Sequence, residues 1–331
     1  MRLASAYRPD RRALLRGGVA AAAGLAATAA RPARAEAAPR SAGGTLVIAA
    51  DQASRSVVLL EPEAVARRSL AGAQWVWTPG GSLDDLRPEE SWHLVSEAKW
   101  TRLYGSPAVA ACASEGLVVV AGFPDGEVYW ATVVPGANPH SVELLPDGGV
   151  AVAASDGGWV RLYAAALGPR STRCAEYLLP GAHGVHWDAG TGLLWAVGGS
   201  VLVALACNRS RLYPQLSEVA RFPLPGYGGG HDLGPVAGDP DRLWVTTDGH
   251  VLQFSVPDAA FVPFPEQARV DHPSVKSIGD DPATGQILLV TPSLDNPCVW
   301  CTSTVELVDP DGVETFPGAA LYKARWAIGR A

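Results

Sequence analysis

From Thr45 onward the apolar residues fall in short runs cut by turn signals, with no stretch that sustains a helical period. Asp-Gly pairs recur at 125–126, 147–148, 156–157, 248–249 and 311–312, and Asp-Pro or Asp-rich turns stand at 239–240 and 280–282. Val, Leu, Trp and Tyr alternate with polar positions at period two, which predicts strands throughout and an all-β fold.

A longer period overlies the short one. HSVELL opens a unit at 140, HGVHWD at 183, HDLGPV at 231 and VKSIGD at 275. Each opening is followed by three further strand-like runs. Four-stranded units at this spacing are the signature of propeller blades. EAKW (97–100) opens one more unit upstream. TLVIAAD, SVVLLEP and QWVWTP (45–79) supply only three strands, and the segment 321–328 is a spare opening strand. Pairing that spare strand with the first three completes a blade and leaves no open edge. The expectation is a six-bladed β-propeller, a single domain over 45–328. A pair of β-sandwiches would not explain the period.

The first residues follow different rules. Arg11-Arg12-Ala13-Leu14-Leu15-Arg16 precedes an Ala-rich apolar stretch (17–30) and an A-x-A site at 33–35. This predicts a twin-arginine-type signal peptide over 1–35, a disordered polar spacer over 36–44 and a secreted protein. Residues 1–35 hold seven Arg and one Asp, so the remainder carries 19 basic and 32 acidic residues, a balance of −13. That sign repels phosphate backbones and argues against nucleic acid as a partner. No later apolar run is long enough to predict a membrane span. Of the five cysteines only Cys298 and Cys301 form a recognisable pair, in a loop between a Pro-rich segment and a strand, which predicts a local disulfide.

NPHSVELLPDG (138–148), GAHGVHWD (181–188), GGHDL (229–233), SVKSIG (274–279) and YKARW (322–326) together resemble an uncharacterised family of exported proteins from high-GC bacteria with a propeller-like fold. The resemblance spans roughly residues 45–327. It implies a secreted propeller and implies no activity.

The blade openings carry the candidate chemistry. Lys99, Lys276 and Lys323 are the only lysines, and each lies in an opening motif, as do His140, His183, His186 and His231. Inner strands line the channel of a propeller, so these side chains are candidates to meet there. His140, His183 and His231 belong to three consecutive blades and the three lysines to the other three. The predicted function is binding of a small or extended anionic ligand, a small molecule or a carbohydrate, at the central channel. Lys99, Lys276, Lys323, Arg325, His186 and Glu143 are its candidate contacts. The alternative is a metal-assisted lyase or hydrolase, with a divalent, zinc-like ion on His140, His183 and His231. Whether the chain is an enzyme is left open between these readings. Trp100, Trp187, Trp195, Trp244 and Trp326 recur at matching repeat positions and are expected to pack between blades.

Overall fold

The computed structural model describes residues 45–61, 70–208, 210–226, 228–296 and 298–328. The signal peptide and spacer expected over 1–44 lie outside the described residues. Within them, 24 strands form six antiparallel sheets of four strands each. The innermost strands are β4 (Val95–Leu103), β8 (Pro139–Leu144), β12 (Ala182–Asp188), β16 (Asp232–Val236), β20 (Ser277–Asp280) and β24 (Leu321–Trp326). The fold is a six-bladed propeller.

Closure works through β24. It is the inner strand of the sheet that continues with β1 (Val47–Asp51), β2 (Ser56–Leu60) and β3 (Trp75–Trp77). Val47 pairs with Trp326, Ile48 with Arg325, Ala49 with Ala324 and Ala50 with Lys323. Without β24 the backbone of β1 would present an unpaired edge beside the channel.

Period two is not the main pattern of the inner and middle strands. β9 (Val150–Ala154) reads VAVAA and is buried at every position. Each blade is sandwiched between two others, and successive side chains go to different neighbours. Val150, Val152 and Ala154 join a cluster with Val118, Val120 and Trp130 of the preceding blade. Ala151 and Ala153 join one with Val185, Leu194 and Ala196 of the following blade. A strand covered on both faces needs an unbroken apolar run. Alternation survives in outer strands such as β11 (Cys174–Leu178), where exposed and half-buried positions alternate. Six clusters of this kind, each shared by two adjacent blades, make up the core.

Candidate functional site

All six inner strands run in the same sense along the channel, so sequence position within the opening motif becomes depth. The first residues of each motif form one mouth, the middle residues the waist, and the last residues the far mouth.

At the first mouth the strands are bulged. Pro139 pairs with Ala154 and Ser141 with Ala153, leaving His140 as the extra residue. His183 is likewise skipped between Ala182 and Gly184, and Tyr322 between the partners of Asp51 and Ala50. A bulge re-aims the side chain of its extra residue. The three re-aimed side chains share a cavity of about 460 Å³ with His231 and Lys276. Gly184 permits the close approach of β12 to β16, since a Cβ there would lie 2.8 Å from Leu233 Cβ and 3.0 Å from Leu233 N.

His140 and His183 stack with ring centroids 4.0 Å apart and planes 12° from parallel, and His231 meets His183 edge-on at 4.9 Å. Tyr322 Oη lies 3.1 Å from His140 Nδ1. His231 Nε2 lies 2.6 Å from Asp248 Oδ1 and 3.2 Å from Lys276 Nζ. Burial, joined by the charges of Lys276 and Lys323, pushes His183 and His231 down to about 3. Burial and the neighbouring His183 and Lys323 put His140 well below the ordinary imidazole value. The imidazoles are therefore neutral at pH 7. Burial also lowers Lys276, with Asp248 opposing and Lys323 reinforcing the shift.

The waist is a plug of ion pairs. Lys323 Nζ donates to Glu97 Oε2 at 3.3 Å, Asp232 Oδ1 at 3.1 Å and the His140 carbonyl at 3.1 Å. Arg325 Nη2 donates to Glu97 Oε1 at 2.8 Å and Asp232 Oδ1 at 3.0 Å. Lys99 Nζ donates to Glu143 Oε2 at 3.2 Å and to the Val185 carbonyl at 2.5 Å. Ser141 Oγ adds a hydrogen bond to Glu97 Oε2 at 3.0 Å. Three cations face three carboxylates, all of them buried.

Beyond the plug, Lys99, Glu143, His186 and Arg325 border a second cavity of about 430 Å³, walled by Trp100, Trp187 and Trp326. Trp187, Trp195, Trp244 and Trp326 pack inside inter-blade clusters and Trp100 packs against another, so the expected inter-blade packing holds for all five, three of which also border this cavity.

These positions correct the expected layout. Of the three ammonium groups only that of Lys276 shares the cavity of the imidazoles; those of Lys99 and Lys323 lie deeper, in the plug. His140, His183, His231 and Lys276 do come together. Lys99, Lys323, Arg325 and Glu143 are brought together one layer deeper, where each cation is occupied by a carboxylate. As for the three-histidine metal set, no group of three or more His, Cys, Asp or Glu side chains among the described residues is arranged to hold a metal ion.

Some mouth residues were not anticipated. Tyr322, Asn138 and Trp300 also line the first cavity. Trp300 sits inside the Cys298–Cys301 disulfide loop, 42% exposed, with Nε1 donating to Gln52 Oε1 at 3.0 Å. An aromatic residue between two closely spaced cysteines was the available signal. For Tyr322 there was none, because its orientation depends on a bulge.

No helix among the described residues is long and apolar enough to cross a membrane. No curated protein matches the sequence. Among solved structures, a protein of unknown function from Bacteroides caccae is similar over 86% of this chain and 98% of its own, at 8% identity and a TM-score of 0.57. A chain of the mitotic checkpoint complex is similar over 88% of this chain and 85% of its own, at 13% identity and a TM-score of 0.51. A streptogramin B lyase, at 12% identity and a TM-score of 0.46, covers 69% of this chain and 72% of its own. At these identities the first two likenesses speak to fold alone. The chain belongs to a family of unknown function, DUF6528, whose model matches residues 33–331.

Proposed function

We propose that this propeller is a secreted binding protein whose histidine-lined mouth takes a carboxylate-bearing saccharide. The observation that carries the reading is the unspent Lys276 ammonium. Asp248 only accepts hydrogen bonds, so its 2.6 Å contact requires the proton on His231 Nε2. Lys276 then meets an N–H, 3.2 Å away, in place of a lone pair. Its donors lack an acceptor there, inside a partly dry cavity where a charge-assisted hydrogen bond is strong. A ligand carboxylate supplies that acceptor. Trp300, held at the rim by the disulfide loop, offers a face on which a sugar ring can rest. The disulfide fits an oxidising compartment, in keeping with the export signal read from Arg11 and Arg12.

The metal-assisted alternative finds less support. Tyr322 already meets Nδ1 of His140, and Asp248 and Lys276 crowd Nε2 of His231.

Calorimetric titration with a galacturonate trimer and its neutral galactose counterpart tests the proposal. The acidic trimer should bind and the neutral one should not. Lys276→Gln and Trp300→Ala should each weaken binding about tenfold or more. Equal affinity for both trimers, or an acidic trimer that ignores Lys276→Gln, would overturn it.

A further inference from the structure

The far cavity is separated from the histidine mouth by the plug, and the saccharide reading makes no use of it. At about 430 Å³ it has the size of a small-molecule site. Its wall is apolar, built from Trp100, Trp187 and Trp326 with Leu144, Leu233 and Pro235. Its floor is the underside of the plug, reached through Lys99, Glu143 and Arg325.

The polar groups at that floor have a consistent deficit. A guanidinium carries five N–H donors. Arg325 engages only those of Nη2, on Glu97 and Asp232. Its Nε is buried without a partner, and so is the indole Nε1 of Trp187. Both are donors and cannot accept. Among the described residues, no buried acceptor atom of a cavity-lining side chain is left unpaired. The reachable part of that deficit is Nη1 of Arg325, which lies 3.7 Å from the place of a Cβ on cavity-lining Gly234, and an incoming oxygen supplies its acceptor. Net charge points the same way. Lys99, Lys323 and Arg325 are matched by Glu97, Glu143 and Asp232, so the plug offers no excess charge to a charged guest.

We propose that this second cavity binds an uncharged, mostly apolar small molecule through a carbonyl-type oxygen. The ring or chain of the guest fills the tryptophan-lined wall, and its oxygen accepts from Nη1 of Arg325. This site is independent of the saccharide site, and either can fail without the other.

Fluorine NMR on the full chain with three probes tests it: 4-fluoroacetophenone, 1-ethyl-4-fluorobenzene and 4-fluorobenzoate. The ketone should bind, the hydrocarbon about tenfold or more weaker for want of the oxygen, and the benzoate no tighter than the hydrocarbon. Gly234→Val should block the ketone, because a Cβ at this cavity-lining position meets nothing closer than Arg325 Nη1 at 3.7 Å and therefore occupies the cavity. Lys276→Gln should leave ketone binding unchanged. Should Gly234→Val fail to fold, the side-chain N–H resonances of Arg325, assigned by their loss in Arg325→Lys, decide on the wild type. They should move downfield with the ketone and stay in place with the hydrocarbon. Equal binding of ketone and hydrocarbon, preference for benzoate, undiminished binding in folded Gly234→Val, unmoved Arg325 resonances or no ketone binding at millimolar concentration would each overturn the proposal.

Discussion

Lys323→Met removes the central cation of the plug while keeping most of the side-chain stem. In the wild type the ammonium is 1% exposed and donates to two carboxylates and a carbonyl, all within 3.3 Å. After substitution Glu97 keeps Arg325 and Ser141, and Asp232 keeps Arg325 alone. Two cations then face three buried carboxylates. Leaving one buried charge uncompensated costs about 3–5 kcal/mol, a fall in Tm on the order of 10 °C for a domain of this size. The deficit has a pH signature. In the wild type, burial pushes Asp232 up, but Arg325 and Lys323 outweigh it and hold the carboxyl far below its ordinary value. Its contribution is present above the unfolded value of about 4 and is lost only as pH falls through the lower folded value. In the variant, one carboxylate must have a folded pKa above the unfolded one. Its penalty applies at neutral pH and is relieved as pH falls through the raised value. Urea unfolding between pH 7.5 and 4.5 should therefore show the gap between variant and wild type narrowing on acidification. Lys323→Met/Asp232→Asn, which leaves two cations against two carboxylates, should recover most of it. A deficit under about 1 kcal/mol, or one that does not change with pH, would refute the reading of the plug as a dry, balanced cluster.

Ending the chain after Gly318 removes β24 and exposes the edge of β1, so the whole ring should lose its cooperative melt; a truncated protein that melts with the full-length chain would contradict closure. Acidification should weaken the fold from about pH 6.5 downward, because unfolded imidazoles take up protons that buried His140, His183 and His231 do not. Each adds about 2 kcal/mol of loss by pH 5, and replacing all three with Gln should flatten the urea-midpoint profile. Cys298→Ser/Cys301→Ser opens a loop too short to contribute much chain entropy. It should shift Tm by only a few degrees while weakening the galacturonate trimer through the freed Trp300. Arg11→Lys/Arg12→Lys should block export without altering the melt of purified protein, measured by fractionation; undiminished secretion would exclude the twin-arginine route.

The period, the blade count and the closing strand were all legible because each depends on local signals, apolar runs and the turns between them. Depth within the channel was not. Strict alternation puts His140 and Ser141 on opposite faces, and only the bulge lets the imidazole enter the mouth while Ser141 bonds to Glu97 in the waist. The lysines were legible as channel residues, but their neutralisation was not. Lys323 meets Glu97 across 226 positions and Asp232 across 91, distances over which no sequence pattern reports a partner. Trp187 reads as packing in any repeat alignment. Its place beside a cavity depends on how the ends of six separate strands diverge at the far mouth.

The position of the plug's charges along the chain bears on when the channel can form. Lys323 and Arg325 lie on β24, which leaves the ribosome after the 23 other described strands. Until then the inner strands already made hold Glu97, Glu143 and Asp232 with only Lys99 to oppose them in the plug. A nascent ring therefore carries two surplus negative charges at the place where its blades must converge, and mutual repulsion holds that place open and hydrated. Arrival of the last strand supplies both missing cations at once, together with the backbone partners of β1. The chain thus defers the drying of its own axis until β24 is made, and a ring assembled without that strand is electrostatically distinct from the finished one.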